Sequence, residues 1–218
     1  MSSFLPIRVR EEIVLQARTT RASAFALDGM TELPPGKIAA VATYLERRAP
    51  PDPMPAPPSI GSFVPLAGNL PRYRALYDGI GQTWLWFSRA ALSDRQLAAV
   101  IARPGVEALA FVVAGRDLGM IELDFRRPKE CELAFLGLLP EATGRGFGRL
   151  LIEEAQRRAY ARPIGRMWLH TCTLDHHAAL PLYLSAGFTP FARAIEVAAD
   201  PRLLGQMPRD AAAQFPIV

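Results

Sequence analysis

The stretch EATGRGFGRLLIEEAQRRAY, residues 141–160, places three glycines directly ahead of a helical pattern. Glycine is one of the least favourable residues for a helix, so Gly144, Gly146 and Gly148 need another explanation. The first backbone N–H groups of a helix have no partner inside it, and the helix dipole makes that end partially positive. A phosphate group satisfies both, and glycine lets the phosphate come close to the backbone. We therefore interpret the stretch as a phosphate-binding loop followed by a helix.

Two other phosphate loops do not match this spacing. A Walker loop ends in Gly-Lys-Ser/Thr, but here Gly148 is followed by Arg149 and Leu150. A dinucleotide fingerprint needs Gly-x-Gly-x-x-Gly early in a parallel sheet, and Gly-Arg-Gly-Phe-Gly has neither that spacing nor that position. A glycine-rich tight turn between a strand and a helix stays open as the structural alternative.

Composition narrows the class of protein. The chain has 218 residues, half of them hydrophobic, and a formal charge of +4. Its basic residues are almost all arginine and form no run, so we expect no nucleic-acid partner. No apolar segment reaches the roughly 20 residues that a bilayer span requires, so we expect no membrane partner. Cys131 and Cys172 are too few for a disulfide framework, and we expect a reducing, cytoplasmic location.

The chain divides near residue 58. Residues 1–58 hold an N-terminal extension, a first strand or short helix at 37–48, and the connector APPDPMPAPP at 49–58. Six of the ten connector residues are proline, which excludes a helix or a central strand and predicts a stiff linker.

Residues 59–218 have the pattern of an α+β domain. Helices are expected at 71–81 and 93–103. From residue 106 the order is strand, strand, strand, helix, strand, helix, strand, with the first turn at Arg116-Asp117. Hairpins that pass into a strand–helix–strand crossover predict a three-layer α/β/α sandwich around a mixed central sheet.

The loop and its flanking strand resemble those of the GNAT acetyltransferases. Members of this family carry Gln/Arg-x-x-Gly-x-Gly/Ala at the start of a central helix, directly after their fourth strand. Here that frame falls on TGRGFG, residues 143–148. Thr143 departs from the family's Gln or Arg, so a side-chain donor to the phosphate is expected to be weaker or absent. The preceding LGL, residues 136–138, resembles the segment whose backbone pairs with the pantetheine arm of acetyl-CoA.

A second motif carries the same resemblance. HHAALPLYLSAGF, residues 176–188, reproduces the family pattern Asn-x-x-Ala-x-x-Leu-Tyr-x-x-x-Gly-Phe, with His176 in place of the asparagine. The two motifs stand in the family's order and spacing. The resemblance covers residues 106–190 well and residues 60–105 only by helix placement, and it implies a GNAT-like acyl-CoA N-acyltransferase fold.

The resemblance implies an activity and a cofactor site. It implies an N-acetyltransferase that moves an acetyl group from acetyl-CoA to a primary amine of a small molecule or protein, by direct attack in a ternary complex and without a metal. The loop would bind the pyrophosphate. Carried over position by position, the implied cofactor site consists of Leu136, Gly137, Leu138, Thr143, Gly144, Arg145, Gly146, Phe147, Gly148, Arg149, His176 and Ala179.

Acetyl transfer needs a base for the amine and an acid for the departing thiolate. Tyr183 occupies the family's tyrosine position and is the candidate acid, because a phenol with a pKa of about 10 is neutral at pH 7. Without the motif it would be interpreted as a core aromatic. The resemblance implies Glu132 as a candidate base, because it falls at the position that carries a catalytic glutamate in the histone-acetylating branch of the family. Glu122, on the neighbouring strand, is the second candidate, since two close carboxylates raise the pKa of one of them. Salt-bridged structural roles and deprotonation through ordered water remain alternatives.

Histidines and tryptophans near these motifs allow two interpretations each. His170 lies in a strand, where a structural role is the commoner one, and His176 and His177 cannot both face one point from a helix. Trp84 and Trp86 alternate, so they either wall the acceptor site or pack in the core.

Some questions stay open from the sequence. A catalytically inactive acyl-CoA-binding sensor or interaction module is the alternative function, whereas the absent Lys-Ser/Thr argues against a P-loop nucleotide-binding protein. The acceptor and the choice between monomer and homodimer are undetermined. The family closes its sheet with a C-terminal hairpin, but prolines in residues 199–210 discourage a long last strand. Either that strand is short or another segment, such as residues 7–15, covers the edge.

Overall fold

The computed structural model describes residues 28–218, so the expectation for residues 7–15 lies outside the described part of the chain. The strands are β1 (Lys37–Arg47), β2 (Ser62–Pro65), β3 (Val106–Val113), β4 (Arg116–Asp124), β5 (Glu130–Leu138), β6 (Arg166–Cys172) and β7 (Thr189–Ala199). The helices are α1 (Leu70–Gly81), α2 (Asp94–Ile101), α3 (Phe147–Tyr160) and α4 (Ala179–Ser185). All seven strands form one mixed sheet, in the order β2-β3-β4-β5-β6-β1-β7.

Strand β1 lies between two strands from the other end of the chain. Tyr44 pairs with His170 on β6 and with Ala192 on β7, both in antiparallel register. The segment that the sequence left as a strand or short helix is therefore a central strand. It fills the place that a second strand of a C-terminal hairpin would take, and residues 200–218 form neither a helix nor a strand. The predicted division at residue 58 falls between two strands of the same sheet.

The first two helices begin at local capping signals. The Asn69 side chain accepts a hydrogen bond from the Arg72 N–H at 3.2 Å, and Pro71 occupies the first turn of α1, where its missing N–H costs nothing. Ser93 caps α2 in a reciprocal capping box with Gln96. Both helices fall where their sequence spacing predicts them.

One predicted turn is displaced by two residues. The β3–β4 hairpin turns at Ala114 and Gly115, which both have positive φ, 50° and 75°. Arg116 and Asp117, expected in the turn, are the first residues of β4. The error has a local cause: Gly115 supplies the left-handed conformation that a tight hairpin turn requires.

Two hydrophobic cores lie on opposite faces of the sheet. The core below α3 and α4 includes Phe111, Leu151, Leu169 and Phe188, and the core below α1 and α2 includes Tyr73 among its buried residues. Helices on both faces of a mixed sheet confirm the predicted three-layer α+β architecture.

The C-terminal segment, residues 200–218, is fixed on the α1 side of the sheet. The Arg202 guanidinium is 5% exposed, forms an ion pair with Asp200, and donates to the backbone carbonyl oxygens of Ala211 and Phe215. Because a buried arginine needs all of its donors satisfied, these contacts hold the segment in place without regular secondary structure.

Strands β5 and β6 diverge soon after they begin. They pair in parallel only from Glu130 with Arg166 to Glu132 with Trp168. Beyond that point, among residues 28–218, β5 pairs only with β4, and β6 only with β1. Ala134 is an extra residue in β5, because Leu123 faces Leu133 while the preceding residue of β4 faces Phe135. We call the opening between residues 133–138 and 169–172 the β5–β6 gap.

Candidate active site

The glycine-rich loop follows β5 and leads into α3 at the mouth of the β5–β6 gap. Gly144 and Gly146 have positive φ, 75° and 78°, and a Cβ built on either would have no heavy atom within 4 Å. The sequence predicts glycine at these positions because a side chain would obstruct a phosphate. In the structure the backbone conformation requires them, and the space in front of them is open.

The loop presents backbone donors without acceptors. Within the described residues, no hydrogen bond is made by the N–H groups of residues 144–148, and no side chain caps α3. Glycine at the N-cap position, Gly146, leaves these amides accessible. Such a cluster at a helix N-terminus, under the partial positive charge of the dipole, suits a pyrophosphate. The residues present therefore fit that group.

Side chains around the loop contribute fewer ligands for a phosphate than the sequence predicts. The Arg145 guanidinium lies over the Phe147 ring, 4.9 Å from its centroid, and remains exposed. Arg149 is 81% exposed and forms an ion pair with Glu153 at 2.7 Å. Thr143 turns its hydroxyl back to the Leu139 carbonyl oxygen at 3.4 Å. Backbone amides are thus the principal anion ligands that this loop offers.

Helix α4 brings Tyr183 to the α3 side of the gap. A Cβ built on Gly148 would lie 3.5 Å from Leu182 Cδ2, so the loop and α4 are adjacent. Tyr183 is 7% exposed and packs edge-on against Phe188. Its hydroxyl has no hydrogen-bond partner among the described residues. Burial, with the Asp175 carboxylate as a second cause, raises the pKa of Tyr183 well above its ordinary value, so the phenol stays protonated.

The two candidate bases lie on the other face of the sheet. Glu122 is 1% exposed, and its two carboxylate oxygens accept hydrogen bonds from the Tyr73 hydroxyl at 2.6 Å and from Arg89 Nη2 at 2.7 Å. Glu132 is half-buried, opposite Asp124 on β4 and opposite Trp168 on β6. It belongs to the last pair before the strands diverge, and so it lies at the closed end of the gap.

Arginines surround these carboxylates. Arg126 forms an ion pair with Asp124, and Arg89 forms one with Glu122. Burial alone would lower the pKa of Arg89, but the Glu122 carboxylate outweighs it, and the pKa is raised above its ordinary value. Burial, followed by the Glu122 charge, raises the pKa of Tyr73 well above 10. No local pattern in the sequence indicates Arg89 or Arg126, because both lie in loops without periodicity.

The histidines differ from expectation in one respect. Helix α4 begins at Ala179, after both His176 and His177, and their rings stack at 4.2 Å. The prediction that they cannot share one direction assumed a helix that starts earlier. The His176 Nδ1 accepts the Ala178 N–H at 3.0 Å, and its ring contacts Trp84 at 5.1 Å. Burial and the neighbouring His177 lower the pKa of His176, which favours a neutral ring.

Neither cysteine is built as a nucleophile. Cys131 is buried, and burial raises the pKa of its thiol strongly. Burial and the Asp175 charge raise the pKa of Cys172 to about 12. A thiol that is protonated at neutral pH is a weak nucleophile. Residues 28–218 also contain no group of three or more His, Cys, Asp or Glu side chains suited to a metal ion.

Comparison with protein families decides the affiliation. The acetyltransferase (GNAT) family model matches residues 74–188, which is more than half of the chain. The chain belongs to the GNAT acetyltransferase family. It is therefore an acyltransferase of the N-acetyltransferase type, as the two sequence motifs predict. No curated protein matches the chain.

Solved GNAT structures share the fold. A GNAT-family protein from Novosphingobium aromaticivorans has a TM-score of 0.54 at 20% identity, over 77% of this chain and 68% of its own. A GCN5-related N-acetyltransferase from Sphaerobacter thermophilus has 0.54 at 16% identity, over 76% of this chain and 52% of its own. A GCN5-related N-acetyltransferase from Kribbella flavida has 0.51 at 17% identity, over 78% and 63%. Identities this low show a common fold alone.

Within this GNAT chain the family match and the gap coincide. Residues 74–188 include most of α1, the diverging ends of β5 and β6, the loop and Tyr183, but not β1 or the C-terminal segment. None of the helices in the described part of the chain has the length and hydrophobicity of a membrane span.

Proposed function

We propose that this chain transfers an acetyl group from acetyl-CoA to a primary amine of a small molecule or protein, by direct attack in a ternary complex. The observation that carries the proposal is the unpartnered amide cluster of residues 144–148 at the mouth of a gap between two diverging strands. A pyrophosphate on the amides would place the remaining arm of the cosubstrate along the free edge of β5. When bound, acetyl-CoA supplies an acyl group that is activated as a thioester.

Residues 136–138 would hold the arm by backbone hydrogen bonds. Among the described residues this part of β5 pairs on one side only, with β4, which leaves its edge toward β6 available. An extended chain segment can add to a free strand edge without rearranging the sheet. Ala179 and Leu182 of α4 pack on the α3 side and limit the gap there.

Tyr183 would act as the acid. Its protonated hydroxyl, without a partner among the described residues, is available to donate a proton to the departing sulfur. A high pKa in the free protein keeps the proton in place until negative charge develops at the sulfur. The position on the α3 side, next to the loop, is the side from which the thioester would enter.

Glu132 would act as the base, and it is favoured over Glu122. Glu122 is enclosed, and both of its oxygens are already used by Tyr73 and Arg89, so an amine would have to displace one of them. Glu132 is less buried and lies at the closed end of the gap. A water that relays the proton to Glu132 is compatible with the same position.

Ligand-induced stabilisation tests this proposal first. CoA and acetyl-CoA should raise the midpoint of thermal unfolding, whereas ATP at equal concentration should raise it much less, since ATP lacks the pantetheine arm. Release of free thiol from acetyl-CoA, measured across a panel of primary amines, then tests turnover. Binding without turnover for any amine would favour the inactive acyl-CoA-binding module. Absence of any CoA effect would overturn the proposal.

A further inference from the structure

The indole ring of Trp86 crosses the β5–β6 gap on the side opposite α3. A Cβ built on Gly137 of β5 would lie 2.8 Å from Trp86 Cη2, so the ring rests directly on that strand. On the other side of the gap, the indole N–H donates to Asp175 Oδ1 at 3.4 Å, just after the end of β6. One side chain therefore contacts one wall of the gap at Gly137 and, at Asp175, the loop that follows the other wall.

The ring is fixed from several directions. A Cβ on Gly81 would lie 2.9 Å from Trp86 Cγ, so two glycines, one on α1 and one on β5, leave space for the tryptophan. The Trp86 ring packs 5.6 Å from Tyr77 and 5.2 Å from Phe135, measured between centroids. Aromatic contacts of this kind hold a ring in one orientation.

The acceptor of the indole hydrogen bond is fixed as well. Asp175 Oδ2 accepts hydrogen bonds from the Thr171 hydroxyl and from the Cys172 N–H, both at 2.8 Å. The charge of the same carboxylate contributes to the raised pKa of Tyr183, which lies on the opposite side of the β5–β6 gap. The Trp86–Asp175 contact therefore lies close to where the acyl group would be transferred.

We propose that Trp86 limits the length of the acyl group that this chain accepts from acyl-CoA, a specificity role that rests on the proposed function. An acyl group carried into the gap from the α3 side points toward the indole on the α1 side. We expect a two-carbon group to be short enough to leave the ring in place. A longer chain has to displace an aromatic side chain that is packed between two glycines and hydrogen-bonded to Asp175. Interiors packed this closely do not yield without cost.

Binding of acyl-CoA analogues tests this without a known acceptor. We expect wild-type protein to bind acetyl-CoA at least tenfold more tightly than hexanoyl-CoA by titration calorimetry. Trp86→Leu should bring the two dissociation constants within about threefold of each other, because a shorter side chain opens the gap. Affinity for CoA itself, which has no acyl group, should change little in the variant.

A matched variant and a smaller substitution complete the test. Trp84→Leu removes the same residue type two positions away, where the ring contacts His176 rather than the gap, and it should keep the wild-type ratio. Trp86→Phe retains aromatic packing and should give an intermediate ratio if Trp86→Leu does not fold.

The outcomes separate the two proposals. If CoA and acetyl-CoA do not bind wild-type protein, the proposed function fails. If they bind but wild type does not discriminate against hexanoyl-CoA, or if neither Trp86 variant reduces the ratio, the role of Trp86 is wrong and the proposed function stands.

Discussion

On the α3 side of the β5–β6 gap the chain presents backbone N–H groups that have no partner in residues 28–218, whereas on the α1 side the carboxylates of Glu122 and Asp124 are each held by an arginine. The first side can receive an anion with no contact to break. On the second side these two carboxylates are already paired, and a polar acceptor there has to compete with existing ion pairs. Under the proposed function, cosubstrate binding would therefore depend mainly on backbone groups and acceptor binding mainly on side chains.

The largest effect on the transfer rate should come from substitution of Tyr183, the candidate acid on the α3 side of the gap. Tyr183→Phe keeps the ring and its contact with Phe188, so acetyl-CoA affinity should change little. Loss of a general acid costs about 10²–10⁴-fold in rate. The measurement is single-turnover acetyl transfer to any amine that the panel identifies.

The pH profile adds a second check on the same residue. Because the pKa of Tyr183 is raised, its hydroxyl should remain protonated through pH 10, and wild-type turnover should show no alkaline loss from this group below that pH.

A rate loss under about threefold in the phenylalanine variant, far below the range for a general acid, would show that Tyr183 is a core aromatic only.

A smaller effect is expected when the loop amides are obstructed. Gly146→Val adds a branched side chain to the open space in front of the loop and should weaken CoA binding by about 1–3 kcal/mol, the cost of leaving charged or polar groups unmatched. Titration calorimetry with CoA measures this directly.

The control for this variant is Gly68→Val. Gly68 has nearly the same positive φ, 81°, and the same open surroundings, but it precedes α1 and is not part of the loop before α3. The two substitutions impose the same backbone strain, so both should lower the midpoint of thermal unfolding. Only Gly146→Val should lose CoA affinity. Equal CoA affinity in the two folded variants would show that the pyrophosphate does not bind at this loop.

The smallest change should appear on the α1 side, in the shape of a pH profile. If Glu132 accepts the amine proton, wild-type rate falls at low pH as the carboxylate becomes protonated, and Glu132→Gln should flatten that limb. If the pH–rate profiles of wild type and Glu132→Gln coincide, Glu132 is excluded as the base. Glu122→Gln is the contrast: it should lower thermal stability, because Arg89 loses its buried anion, while the remaining activity keeps the wild-type pH dependence.

The features that the sequence predicts are those that depend on local signals. Glycines at fixed spacing before an amphipathic run identify the loop, because the demands of a helix terminus are local. The strand order from residue 106 onward and the two early helices follow from local periodicity in the same way. The family motifs added Tyr183 and residues 136–138.

Other features depend on contacts between distant segments. Arg89 meets Glu122 through the packing of a loop on β4, and no local pattern encodes that pair. Trp86 could be assigned either to the core or to the acceptor wall until its contacts with Gly137 and Asp175 were known. The turn at Ala114 and Gly115 was missed by two residues, because charged residues next to a hairpin resemble its turn.

The insertion of β1 between β6 and β7 has a consequence for how the chain is made. Its partners are encoded roughly 120 to 160 residues after it, so β1 leaves the ribosome long before either neighbour exists. The β3–β4–β5 meander can form from adjacent segments as soon as it emerges, whereas half of the sheet has to wait for synthesis to finish. Pairings of such high contact order form slowly, and an unpaired apolar strand is exposed to association with other chains meanwhile. Completion of the sheet is therefore the step at which this fold is most exposed to misassembly.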